Sequence, residues 1–344
     1  MSVWFSVIIT VIAFGIMVML HEAGHFVTAK RFGVTVHEFS IGMGPLLFKW
    51  GKGETQYSIR LLPLGGYVKL EGEEDASDNP KAFSNISPLK RIVILVAGAF
   101  MNIVLGFVCF VIINNTYPVV QVPVISQIVE NSAAEEAGLM VGDEIIKLDN
   151  TSVDTHSDIK LFMMENKDSV KVTFVRNGEK QSVVLNPKDA SGGTRLIGFV
   201  SSLKKLNFLE SFEYSYYDTR YVVKAVIASI KMLLTGEAKV SDMSGPVGIV
   251  QAVGDTAESA KDYGLKAMIM QVLMLFAMIS VNLGVFNLLP FPALDGGSII
   301  FAFIELVTRR KLKQEVLGYI NLIGLALILG LGIFVMYSDI MKLL

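Results

Sequence analysis

Four stretches of this 344-residue chain are dominated by apolar residues for about one helical membrane crossing each: Val3–Phe26, Ile92–Ile113, Met268–Leu289 and Val316–Tyr337. A helix needs about 20 such residues to cross the hydrocarbon core, so the pattern predicts four spanning helices. Between the first two, over 37–70, aromatic and β-branched residues alternate with polar ones under Gly and Pro punctuation. This predicts β structure: Phe48-Lys49-Trp50, a Gly51-Lys52-Gly53 turn, Gln56–Leu61 and Leu64–Leu70. Two readings are open for it, a sheet edge that takes an extended substrate as an added strand or a hairpin with a blunted edge that braces the helices. Residues 71–88, acidic and then polar with Asn79-Pro80 and Ser87-Pro88, read as a loop.

Past the second apolar stretch the pattern becomes that of a small αβ module. Ser132 and Glu135 form a capping-box signature closed by Gly138, and a strand follows over Glu144–Leu148. A second short helix is predicted over Ser157–Glu165, then strands Val170–Arg176 and Glu179–Leu185 around Asn177-Gly178, the dipeptide favoured in two-residue hairpins. From Phe208 to Leu234, Leu209, Phe212, Tyr216, Val223, Val226, Ile230 and Leu233 recur at helical spacing, allowing one slip near Thr219. The helix lies either on the membrane surface, with Tyr214, Tyr216 and Tyr217 at headgroup level, or packed on the module. Ser241–Ile249 reads as a Gly/Pro break leading into a short polar stretch.

Composition supports the membrane reading, since 52% of residues are hydrophobic and 18% charged. A net charge of -2 excludes the basic footprint of a nucleic-acid binder, and the single cysteine, Cys109, excludes an internal disulfide framework. The first stretch lacks a basic leader and ends in HEAGHF rather than at a small-residue cleavage site, so a retained helix is expected. Nine Lys and Arg residues separate the first two stretches, and Arg309, Arg310, Lys311 and Lys313 crowd the connection between the last two. Short basic connections stay in the cytoplasm, which places both termini and the 114–266 segment outside.

That orientation brings two chemically marked segments to one depth. On a helix, His21 and His25 of HEAGH share a face and can reach one metal ion, and Glu22 is placed to take a proton from an attacking water. The third stretch ends at the same side in Asn287-Leu288-Leu289-Pro290-Phe291-Pro292-Ala293-Leu294-Asp295-Gly296-Gly297. Its prolines break the helix, and an ionisable Asp295 at membrane depth completes a three-ligand set with His21 and His25, leaving the fourth position open. Asn102, a lone amide in the second stretch, either bonds a neighbouring helix or holds a substrate carbonyl.

Taken together, HEAGH, NLLPFPALDGG, the segments GMGPLLFKW to RLLPLGGYVKL, ENSAAEEAGLMVGDEI and MSGPVGI resemble the bacterial site-2 protease family, intramembrane zinc metalloproteases, here with one PDZ domain. The resemblance covers nearly the whole chain and implies a multi-pass α-helical membrane protein with a membrane-associated β-sheet and an extracytoplasmic α+β PDZ domain. It divides the chain into 1–113, two spans with the β region; 114–205, the PDZ domain; 206–265, a juxtamembrane helix and loop; and 266–344, the last two spans. It implies Zn2+ on His21, His25 and Asp295, Glu22 as catalytic base, and Asn102 and Asn287 with Pro290 and Pro292 at the substrate. Substrates would be single-pass membrane proteins, such as anti-sigma factors or remnant signal peptides, cut within the inner (cytoplasmic) membrane toward its cytoplasmic side. Ala99 departs from the proline common in this part of the family motif. Ile197-Gly198-Phe199 is the candidate loop for receiving a peptide end.

Other classes are less consistent with the residues. A third histidine ligand of the extended HExxH type would fall at 31, where the chain has Arg31, and Glu305 is the alternative carboxylate ligand. A metal transporter would reuse the same ligands, but the chain has four histidines and no His-rich loop. A PDZ-bearing scaffold with an inert metal site has no need of Glu22. His37 and His156 read as surface residues.

Overall fold

A computed structural model describes residues 3–51, 53–73, 77–164, 168–189 and 195–343. Lys52 of the expected turn, residues 74–76 of the expected loop and Glu165 of the expected helix lie outside these. The chain forms two compact units, one of residues 1–109 with 226–344 and one of 110–225.

The larger unit begins with α1 (Val3–Arg31), followed by strands β1 (Val36–Trp50) and β2 (Gln56–Leu70) and by α2 (Pro88–Thr116), whose last turns belong to the other unit. The β region predicted over 37–70 is present, in a form the pattern did not show. Each strand bends, so that Phe39 is flanked by Val68 on one side and Tyr57 on the other, while Lys49 pairs with Ser58. The legs therefore lie in the order 66–70, 36–41, 56–60 and 46–50. Gly42 and Gly65, at φ 85° and 88°, take the left-handed backbone at the bends, which a side chain would strain. Val34, Val36 and Leu70 bury against Ala29 of α1 and Ile94 of α2, fixing the 66–70 leg to the helices.

In the same unit α6 (Pro246–Ala260), α7 (Leu265–Asn287), α8 (Asp295–Thr308) and α9 (Gln314–Leu343) complete the helices. α1, α2, α7 and α9 are each long and apolar enough to cross a membrane, as the four stretches predicted. Two helices correct the sequence reading. The 246–260 stretch, expected to be short and polar, is α6, with Val253, Ala257 and Ala260 buried. Its N-terminus has no side-chain cap of its own; Asp339 of α9 accepts from the N–H groups of Gly245 and Gly248 at 2.9 and 2.8 Å. The connection between the last two spans likewise contains α8, 14 residues long.

The smaller unit is built on a sheet of order β10-β3-β4-β6-β7, with β3 (Val119–Ile128), β4 (Glu144–Leu148), β6 (Val170–Arg176), β7 (Glu179–Leu185) and β10 (Phe199–Lys205). β5 (Thr151–Ser152) pairs with β4, and β8 (Lys188–Asp189) pairs with β9 (Arg195–Leu196). The Asn177-Gly178 hairpin forms as expected, with both residues at positive φ. Ile145, Leu148, Val170 and Val172 centre the core beneath α3 (Ala133–Glu136) and α4 (His156–Met163). Ser132 caps α3, but Glu135 reaches back to the Asn131 N–H rather than to the cap residue. The full capping box is on α4, between Thr155 and Asp158.

The 208–225 part of α5 (Phe208–Thr235) belongs to this unit. Its buried face is Ser211, Ser215 and Thr219, while Leu209, Phe212 and Tyr216 of the apolar stripe are exposed. Asn114 of α2 fixes that face: its side-chain amide donates to Ser215 Oγ and Asp218 Oδ2, and its backbone carbonyl accepts from Ser211 Oγ. Tyr214, expected at headgroup level, is buried. Arg220 and Lys224 meet Asp158 at 3.0 and 2.9 Å, packing α5 against α4.

Candidate metal centre

The imidazoles of His21 and His25 lie one turn apart on α1 and meet edge to face, with their Nε2 atoms 3.1 Å apart. Asp295 Oδ2 lies 3.2 Å from the first and 3.5 Å from the second. Ligands at zinc bond lengths of about 2.0–2.2 Å in a tetrahedron are separated by about 3.3 Å, the spacing found here. Asp295 Oδ2 is also buried with no hydrogen-bond donor, although an ionised carboxylate oxygen needs one or a cation. The three residues thus fit a Zn2+ ion, and among the described residues they are the group of His, Cys, Asp and Glu that can hold a metal.

Neighbouring backbone aims the ligands. His25 Nδ1 donates to the Ile94 carbonyl at 2.9 Å, which leaves its Nε2 lone pair facing Asp295. α2 approaches so closely that a Cβ on Gly98 would sit 2.2 Å from His25 Nε2 and 2.9 Å from His21 Cε1. Asp295 is the first residue of α8, after a turn in which Ala293 takes φ 70° and donates to Asn321 Oδ1 of α9 at 3.3 Å. A Cβ on Gly296 would meet the Leu289 carbonyl at 2.0 Å, so the chain after the proline break can fold back tightly.

Glu22 is outside the ligand group and faces the 66–70 leg of the sheet, its Cγ 3.5 Å from where a Cβ on Gly66 would lie. One edge of the sheet is therefore beside the site. Asn102 is fully buried, and its Nδ2 is 3.4 Å from His21 Nδ1; the Asn287 Nδ2 lies 3.5 Å from the same atom. With His21 Nε2 turned to the centre, Nδ1 carries the proton and requires an acceptor. Rotating the Asn102 amide by half a turn puts its otherwise unpartnered Oδ1 there, an assignment that amide geometry allows. Pro290 is exposed, and Pro292 packs on α9, where a Cβ at Gly324 would meet its carbonyl at 2.5 Å. Glu305, the alternative ligand, is instead buried in an ion pair with Arg91 and accepts from the Leu312 N–H. His37 is exposed; His156 is half-buried and bonds Ser201 at 2.7 Å. Sequence reasoning did not find Gly98, Asn321 or Ile94, whose roles depend on approaches between distant segments.

A histidine pair and a carboxylate converge among apolar helices, with a further carboxylate beside them, the kind of arrangement a metallohydrolase centre requires. The profile of Peptidase family M50 matches residues 9–331, and the chain belongs to that family. A protein of Clostridium acetobutylicum named as a zinc metalloprotease is 39% identical over 340 residues, covering 98% of each chain. One of Campylobacter jejuni is 33% identical over 352 residues, covering 97% of this chain and 93% of the relative. The zinc metalloprotease RasP of Geobacillus kaustophilus is 29% identical over 422 residues, covering 98% of each. Among solved structures, the PDZ domain of an SdrC-like protein from Listeria monocytogenes matches 24% of this chain and 87% of its own, at 17% identity and a TM-score of 0.22. The chain is a zinc metalloprotease of the site-2 protease type, and the transporter and scaffold readings fall away.

Proposed function

We propose that His21, His25 and Asp295 hold the zinc, that Glu22 is the general base, and that the substrate is the transmembrane segment of a single-pass protein. The observation that carries this is the trio of ligand atoms at tetrahedral spacing around an otherwise unpartnered Asp295 oxygen. Zinc, when bound, supplies Lewis-acid polarisation of the scissile carbonyl and of water. Glu22 takes the proton of the attacking water and delivers it to the leaving amine. A helical peptide bond is shielded by its own hydrogen bonds, so the substrate must be extended first. The 66–70 edge beside Glu22 accepts it as a further strand, with Asn287, Pro290 and Pro292 bordering its path. Asn102 orients His21 and thereby keeps its Nε2 available.

In the same reading, residues 114–205 are an extracytoplasmic PDZ domain. β10 is an edge strand of its sheet, and the Ile197-Gly198-Phe199 turn before it presents backbone to a chain end. The basic connections before α2 and after α8 set the catalytic end toward the cytoplasm and both termini outside. The test is zinc content and cleavage of a panel of single-span helices by detergent-purified enzyme. His21→Ala and Asp295→Ala are expected to lose both metal and cleavage. Wild-type zinc content in Asp295→Ala would overturn the ligand set.

A further inference from the structure

The end of α8, the segment after it and the start of α2 border an open pocket of about 410 Å³, lined among others by Asn85, Pro88, Arg91, Arg309, Arg310 and Lys311. Nothing in the proteolytic chemistry uses it. We propose that this pocket binds the phosphate of an anionic phospholipid headgroup, with the acyl chains lying on the apolar faces of α2 and α8. The inference rests on α2 crossing the membrane, with α8 beside its cytoplasmic end.

Charge is the first argument. Arg91 is neutralised by its buried partner Glu305, which leaves Arg309, Arg310 and Lys311 as an excess of three positive charges around one cavity. Arg309 and Arg310 are exposed and have no acidic partner among the described residues. If these cations served only to fix topology, no pocket would be required. Here, however, Lys311 Nζ is pinned to Asn85 Oδ1 at 2.8 Å, and Arg309 is held at φ 55°, a backbone conformation unfavourable for a residue with a side chain.

The second argument is position. The pocket opens at the first residues of α2, and beyond it Leu89 and Val93 of α2 and Phe303, Ile304 and Val307 of α8 are exposed. A soluble phosphate has no use for those apolar faces, whereas acyl chains cover them. Basic pockets between helices at a membrane interface bind lipid headgroups in this manner.

The test uses the full-length protein in neutral detergent and measures retained phosphatidylglycerol against phosphatidylcholine by native mass spectrometry. Wild type is expected to retain phosphatidylglycerol at least about tenfold better. The triple variant Arg309→Gln, Arg310→Gln, Lys311→Gln should lose that preference, Arg309→Lys with Arg310→Lys should largely keep it, and Lys231→Gln, Lys239→Gln, Lys266→Gln, an equal charge change elsewhere, should leave it intact. Equal retention of both lipids, or an equal loss in the control triple, overturns the site. Displacement of the lipid by inorganic phosphate at comparable concentration would reassign the pocket to a soluble anion and overturn the lipid assignment. Because the readout is bound lipid, its failure leaves the protease reading untouched.

Discussion

Replacing Gly98 by alanine adds one methyl where the imidazoles of the two proposed zinc ligands, His21 and His25, meet α2. That carbon would lie 2.2 Å from His25 Nε2, 2.5 Å from His25 Cε1 and 2.9 Å from His21 Cε1. Ordinary carbon contacts begin at about 3.5 Å, so His25 must retreat by about 1 Å or α2 must back away by as much. Neither is easy, since His25 Nδ1 is bonded to the Ile94 carbonyl of α2 itself. A ligand displaced by about 1 Å cannot keep a bond of about 2 Å, and misplacements of that size cost about 10²-fold in rate. The substitution should lower zinc affinity about tenfold or more and kcat/KM about 100-fold, although alanine is intrinsically the better helix former by about 1 kcal/mol. Metal analysis after competition with a chelator, beside cleavage of a single-span substrate, reads both. Gly330→Ala on α9, where an added Cβ meets nothing within 4 Å, is the matched control and should be neutral. Zinc affinity and activity in Gly98→Ala within about twofold of wild type would refute the close approach of α2 to the ligands.

Further outcomes follow from the same geometry. Asn102→Ala should lower zinc affinity about 10–100-fold by leaving His21 Nδ1–H without an acceptor, whereas Asn102→Asp keeps an acceptor and should retain metal; equal loss in both would remove the His21-orienting role. In the smaller unit, burial pushes Asp158 upward, but the hydrogen bonds from Lys224 and the Asp154 N–H and the charges of Lys224 and Arg220 outweigh it and hold the carboxyl below its ordinary value. Its contribution to stability is therefore present above the unfolded value of about 3.9 and lost as pH falls through the lower folded value. Limited proteolysis of the full chain should show cleavage of this unit rising below about pH 4, and Asp158→Asn should be sensitive already at neutral pH. Asp339→Ala should destabilise by about 1–2 kcal/mol through the two orphaned α6 N–H groups, read as a lowered Tm in detergent, with Asp339→Asn milder.

The features that were legible in the sequence are those encoded locally. Length and apolarity suffice for α1, α2, α7 and α9, and the four-residue spacing of His21 and His25 suffices for half the candidate site. Charge bias brought Asp295 to the same depth, and the structure places its oxygen within 3.5 Å of both histidines. What depended on distant partners was not legible. α6 starts on a cap supplied by Asp339, about ninety residues later, so its own sequence reads as a polar break. α8 is too short to span and starts beside two prolines, so the stretch reads as part of the connection between two spans. On α5 the apolar stripe marked Leu209, Phe212 and Tyr216, which are exposed, but the packed face of Ser211, Ser215 and Thr219 depends on Asn114, about a hundred residues earlier. The bends in β1 and β2 set the order of the legs, which an alternating pattern alone does not encode.

The most direct measurement is single-turnover cleavage of a single-span substrate by Glu22→Gln enzyme whose zinc content is determined in the same preparation. Glu22 lies outside the ligand group, so the variant should bind about one zinc per chain while cleaving about 10²–10⁴-fold more slowly than wild type. Zinc-loaded Glu22→Gln that cleaves at the wild-type rate would contradict the account.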